Sequence, residues 1–211
     1  MTETYRNFVE RCPQHREILD PGRVPFIQYR VYEIWKPASV RGLLLAEAPP
    51  WQKGAYFYNP EGYGNREGLG DRVFRLLDIQ ESAYVDRLQK FMEMGFFLLD
   101  TIKCPLKKRP GVAVPSELIE LGVKEFLEKE IVAVGSRRIL VLGGTALKAV
   151  KLISVFSRAM LSLDSITELC KCGKQVETHD ATLLFSVFPN SRNKKYQGCI
   201  KQAFDLLADR C

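Results

Sequence analysis

The sequence lacks any run of about 18 apolar residues, so no segment reads as a membrane-spanning helix. Its opening stretch, Met1 to Phe8, lacks the basic start and apolar run of a secretion signal, so the chain is expected to act inside the cell, in the cytoplasm or, in a prokaryote, at the nucleoid. Internal repeats, low-complexity tracts and linker-like stretches are also missing. Without them nothing marks a second domain, and 211 residues, 46% of them hydrophobic, suit one sizeable core. One domain over residues 1–211, acting as a monomer, is therefore expected. The six cysteines are irregularly spaced in a chain without a signal, which argues against a disulfide framework and leaves free thiols or metal ligands.

What the chain does have is positive charge. Lys and Arg number 31 against 25 Asp and Glu, a net charge of +6 with a pI near 9.0, which suits a polyanionic partner without proving one.

Four short apolar runs read as buried strands: Leu43 to Ala46, Phe96 to Leu99, Ile139 to Leu142 and Leu183 to Val187. Their apolar character is continuous rather than alternating, as in a parallel sheet covered by helices on both faces. Between them lie stretches of helical period. Val73, Leu76 and Leu77 share one face, and Tyr84, Leu88 and Phe91 another. Ser116 reads as the cap of a helix carrying Leu118, Leu121, Phe126 and Ile131, and Thr145 as the opening of one carrying Leu147, Val150 and Ile153. A last helix is expected from about Asn193 to Asp209, with Tyr196, Ile200, Ala203, Phe204 and Leu207 inside. Residues 167–182 fit less well and read as an inserted hairpin turning at Cys172 to Gln175. The pattern predicts a three-layer α/β/α fold around a central, mostly parallel four-stranded sheet.

Ligands of such sheets bind outside the carboxyl ends of the strands. That rule gathers Glu47 to Pro50, Asp100 to Pro105, Gly143 to Thr145 and Phe188 to Asn193 around one site. Glu47 on a Pro-stiffened loop, with Tyr56, Phe57 and Tyr58 close behind, fits a pocket for a flat, uncharged ring. The same residues also fit a helix cap and a packed core. Lys103, Lys107, Lys108 and Arg109 follow the second strand, and Ser191, Arg192, Lys194 and Lys195 follow the fourth, so a cationic rim is expected at the same edge.

Three of these stretches, in order, resemble motifs of the uracil-DNA glycosylase superfamily. Ala46-Glu47-Ala48-Pro49-Pro50 is similar to a Gly-Glu-Ala-Pro-Gly turn, Asp100-Thr101-Ile102-Lys103-Cys104 to an Asn-Val-Val-Lys-Cys strand end, and Phe188-Pro189-Asn190-Ser191 to a His-Pro-Ser loop. Leu142-Gly143-Gly144-Thr145-Ala146 also looks like the family's Leu-Gly-x-x-Ala turn. The resemblance covers roughly residues 40–205.

It implies a DNA glycosylase of base-excision repair, which flips a deaminated or otherwise damaged base out of DNA and hydrolyses its N-glycosidic bond. By the same resemblance Phe57 stacks on the base, Asp100 and Phe188 contact it, and Glu47 orients water or stabilises positive charge, with Asn190 helping the base depart. Lys103, Lys107, Lys108, Ser191, Arg192, Lys194 and Lys195 hold the DNA, Arg192 filling the gap left by the base.

Three positions depart from the family pattern. Phe188 replaces a histidine and donates no hydrogen bond. Pro50 replaces a glycine, deleting a backbone donor and stiffening the turn. Asp100 replaces an asparagine: ionised, it only accepts hydrogen bonds and disfavours uracil, whereas protonated it restores uracil or hypoxanthine.

One branch of the family holds an iron-sulfur cluster on four cysteines. Cys104 and Cys12 match two ligands, but His15 stands where a thiolate belongs and a fourth ligand is missing, so no cofactor is expected to be required. Cys170 and Cys172 with Cys12 and His15 form a weaker zinc candidate. Two other functions remain compatible with the residues: a non-catalytic relative that holds damaged DNA, and an enzyme acting on free nucleotides.

Overall fold

A computed structural model describes residues 2–11, 17–64, 66–107, 113–160, 175–189 and 191–209. The candidates Cys12, His15, Lys108, Arg109, Cys170, Cys172 and Asn190 lie outside the described residues, as do the side chains of Ser191, Arg192 and Lys194.

Helix α1 (Thr2–Arg11) and two single-turn helices, α2 (Pro25–Gln28) and α3 (Val31–Ile34), precede β1 (Gly42–Ala46). A long loop with a 3-10 turn at Lys53–Ala55 leads to α4 (Leu69–Leu76), α5 (Tyr84–Glu93) and β2 (Phe96–Asp100). Then come α6 (Ser116–Gly122), which runs through a π-helical turn at Val123–Leu127 into α7 (Glu128–Val134), and β3 (Arg138–Leu142). Helices α8 (Gly143–Leu152) and α9 (Ser154–Met160), strands β4 (Gln175–Glu177) and β5 (Thr182–Ser186), a 3-10 turn at Ser191–Tyr196 and α10 (Gln197–Leu207) complete the described chain.

The sheet order is β2-β1-β3-β5-β4. The four expected strands are parallel, and β4 adds a fifth, antiparallel to β5, with Gln175 opposite Leu184 and Glu177 opposite Thr182. The turn of this hairpin lies at Thr178 to Ala181, where the Thr178 hydroxyl donates to the Ala181 carbonyl and accepts from its amide. Gln175 is therefore a strand residue rather than part of the turn.

Burial explains the continuous apolar runs. Leu43, Leu44 and Leu45 have no exposed surface, because β1 lies between two strands with helices covering the sheet. Helix α5 packs on β2, α8 on β1 and β3, and α10 on β3 and β5. The edge strand β2 is closed by a side chain: the Tyr58 hydroxyl accepts from Leu98 N at 2.7 Å and donates to Leu98 O at 3.1 Å, pairing backbone groups an edge would leave open.

Three helix boundaries differ from the sequence expectation. Pro115, not Ser116, stands at the cap of α6, with no side-chain cap bond because its ring carries no acceptor; the Leu118 amide donates to the Pro115 carbonyl at 3.2 Å instead. Helix α8 begins at Gly143 rather than Thr145. Gly143 takes φ +82°, a conformation L side chains rarely adopt, so the chain turns from β3 into helix without a connecting loop. The last segment is 3-10 before Gln197 and α-helical only from there, with Ile200, Ala203, Phe204 and Leu207 buried.

Candidate active site at the strand ends

Strand order fixes where the site falls. From β1 the chain crosses first to β2 on one side and then to β3 on the other, so the sheet's switch point lies between β1 and β3. A cleft of about 770 Å³ opens there, lined by Glu47, Pro50, Trp51, Arg72, Lys107 and Phe188 together with the Gly143-Gly144 turn. A second groove, about 740 Å³, lies at the opposite edge around Arg137, His179 and Asp180. It faces the amino ends of the parallel strands, where this architecture does not place ligands.

Glu47 follows β1 directly, and Asp100 closes β2 opposite Ala46. The ladder continues one step further, with Thr101 N donating to Ala46 O at 2.9 Å and Ile102 N to Glu47 O at 3.0 Å, so the two acidic residues are held on neighbouring backbones. The Thr145 hydroxyl donates to Glu47 Oε2 at 2.5 Å. Thr145 thus aims the carboxylate from α8 instead of capping that helix, a role invisible in sequence because 98 positions separate the pair.

Asp100 is 3% exposed, and among the described residues its Oδ2 has no hydrogen-bond partner. Burial pushes its pKa up to about 7; Lys103 opposes the shift, while Glu130 and Glu47 add to it. At neutral pH the group is therefore divided between carboxylate and carboxylic acid. The Tyr56 hydroxyl, near enough to feel the Asp100 charge, is also buried and unpartnered among the described residues, and its pKa is raised by burial and by that charge. Buried polar groups without partners are costly unless something else completes them.

Lys103 is not part of the rim. Its side chain is fully buried, its Nζ donates to Asp100 O at 2.7 Å and pairs with Glu130 of α7, and Phe26 lies 5.0 Å away. A cation in the interior must be paired, and the turn after β2 directs this one inward.

Phe57 is likewise placed differently from its expected stacking role. It is 3% exposed and sits among Tyr58, Phe74 and Phe91 at ring separations of 4.9, 5.6 and 5.2 Å, while its carbonyl accepts from Tyr84. Those neighbours fill its surroundings, so Phe57 belongs to the core. Cys104 is fully buried too, and burial pushes its thiol up to about 12.

Other candidates do reach the site. Phe188 is half-buried against the cleft, its carbonyl accepting from Asn193 Nδ2 at 2.7 Å. Lys107 is exposed at the rim, and Lys195 is exposed beside Tyr196. Two residues unremarked in the sequence complete the wall. Arg72 of α4 donates to Pro189 O at 3.0 Å while held by Glu67, and Arg23 donates to Pro50 O at 3.3 Å and Trp51 O at 2.5 Å. Nothing in local sequence marks either arginine, because each acts on a loop far along the chain.

The family model described as the Uracil DNA glycosylase superfamily matches residues 35–208. This chain belongs to that superfamily. A search of curated proteins finds no match. The matched span runs from before β1 to the end of α10 and includes every strand-end loop described above.

Proposed function

We propose that this member of the uracil DNA glycosylase superfamily is a DNA glycosylase, hydrolysing the N-glycosidic bond of a deaminated base extruded into the strand-end cleft. The observation that carries the reading is the pairing of two acidic groups in unlike environments at adjoining strand ends: Glu47, half-exposed in the cleft and oriented by Thr145, and Asp100, buried with an open hydrogen-bonding oxygen. In this reading Glu47 orients water or stabilises the positive charge that develops on the sugar as the base departs. Asp100 reads the base edge.

A carboxyl with a pKa near 7 donates as well as accepts in the more acidic part of the neutral range. With the Tyr56 hydroxyl beside it, the floor can complement a ring N–H next to a carbonyl, the edge shared by uracil, hypoxanthine and xanthine. DNA is the proposed partner, with Lys107 and Lys195 exposed toward its phosphates.

The experiment is a single-turnover excision assay on oligonucleotides carrying uracil, hypoxanthine, xanthine, 5-methylcytosine or oxidised guanine, with abasic sites revealed by alkali. Excision of an oxo-base, faster at pH 6 than at pH 8, is expected. Phe188 in the cleft favours a second reading, a relative that holds damaged DNA without cutting it, because the ring gives no help to a leaving base. Binding without excision of any of the five bases would select that reading.

A further inference from the structure

Trp51 stands at the mouth of the cleft and is 37% exposed, whereas the other tryptophan, Trp35, is 7% exposed. Two cations approach its ring from separate segments: the Arg23 guanidinium carbon and Lys107 Nζ each lie 5.8 Å from the ring centroid. That distance is outside close ring stacking, so the cations border the indole and leave part of it open to solvent.

The platform is held in place from three sides. Arg23 donates to the Pro50 and Trp51 carbonyls, Leu106 bridges both Pro50 and Leu19, and Lys107 N donates to Ile18 O at 2.8 Å. Pro50 removes further backbone freedom immediately before the ring. Arg23 is paired with Asp20, its side chain is 16% exposed, and it holds the loop, whereas Lys107 is exposed; an aromatic ring open to water beside an exposed lysine has no use in packing this core.

We propose that Trp51, with Arg23 and Lys107, is a stacking subsite for an unpaired nucleotide of the DNA strand next to the extruded one. The indole takes the base face, Lys107 takes a flanking phosphate and Arg23 holds the loop that carries the ring, a combination that binds single strands without regard to sequence. This rests on the glycosylase reading for the identity of the ligand, but it adds a preference: a substrate with an unpaired neighbour is held better than a fully paired duplex.

The test is titration of the full chain with undamaged dT10 and with the same strand paired to dA10, read by tryptophan fluorescence and, with a labelled strand, by anisotropy. Because Trp35 is buried, quenching reports chiefly on Trp51. The expected results are quenching by dT10, roughly tenfold weaker dT10 binding in Trp51→Ala, and near-normal binding in Trp51→Phe, which keeps an aromatic face. Lys107→Gln should flatten the salt dependence by about 0.7 in log–log slope, one phosphate contact on a single strand.

If dT10 binds by anisotropy without quenching, or binds Trp51→Ala as tightly as the parent, the subsite is overturned while the DNA reading stands. If the parent neither binds dT10 nor excises any of the five bases, both fall.

Discussion

The two sides of the strand-end edge carry similar residues in opposite environments. At the end of β2, Asp100, Lys103, Tyr56 and, from α7, Glu130 form a nearly dry floor. Beyond the ends of β1 and β5, Glu47, Trp51 and Phe188, joined by Lys107 from further along the loop after β2, form a half-wet wall. On the floor Lys103 and Glu130 are bound to one another, and burial raises the pKa values of Asp100 and Tyr56. On the wall Glu47 is oriented by Thr145, and Lys107 is exposed and screened by solvent. Burial, more than residue type, separates the groups that shape the site from those that stay accessible at the cleft.

The largest expected effect breaks the floor. Lys103→Met leaves Glu130 buried without its cation and should cost about 3–5 kcal/mol of stability by urea unfolding. Adding Glu130→Gln should recover much of the loss, whereas Lys107→Gln on the wall should move stability by less than about 0.5 kcal/mol. Equal losses for Lys103 and Lys107 would erase the contrast.

On the wall, Glu47→Ala should lower single-turnover excision by about 100- to 1000-fold while DNA affinity stays nearly unchanged. A matching loss of affinity and thermal stability would make Glu47 a folding residue.

Asp100 links stability to pH with a definite sign. Its ordinary pKa is 3.8 and its folded value about 7, so across that window the folded state keeps a proton the unfolded state has released, and stability falls as pH rises. Asp100→Asn removes this dependence. Its stability relative to the parent should improve by roughly 2–3 kcal/mol between pH 5 and pH 8, read from unfolding curves at both values. A constant difference would mean that Asp100 is ionised throughout. The same substitution should also abolish the gain in excision at pH 6.

The smallest effect tests whether the floor waits for a ligand. Tyr56→Phe removes a buried hydroxyl that has no partner among the described residues and should stabilise the fold by about 1 kcal/mol, while weakening excision of oxo-bases. A stabilised, fully active variant would remove Tyr56 from base reading.

The strand-end motifs are legible in the sequence because backbone geometry carries them. Short continuous apolar runs bounded by turn residues and alternating with helical segments read as interior parallel strands, and the loops that leave the carboxyl ends of such strands lie at one edge. Side-chain direction is not legible. Tyr56 and Phe57 are adjacent, and only packing against Phe74 and Phe91 shows that Phe57 is the one committed to the core. Lys103 and Lys107 look like one basic cluster, yet the turn after β2 buries the first and exposes the second. An inserted hairpin is legible over residues 167–182, but the bounds of β4 are not, because its three residues of mixed polarity, with only Val176 apolar, carry too little pattern; the expected turn residues 172–174 lie outside the described residues.

By itself the sequence determined the α/β class, the four parallel strands, the placement of Glu47 and Asp100 at one edge, and the motifs of the family. Each of these depends on local hydrophobicity and chain order. Only the tertiary structure decided how each charged group is partnered, through Thr145 reaching Glu47, Glu130 reaching Lys103, and Arg23 and Lys107 reaching Trp51. These partners are far apart along the chain, and whether a group keeps its charge depends on the water it loses when the chain brings them together.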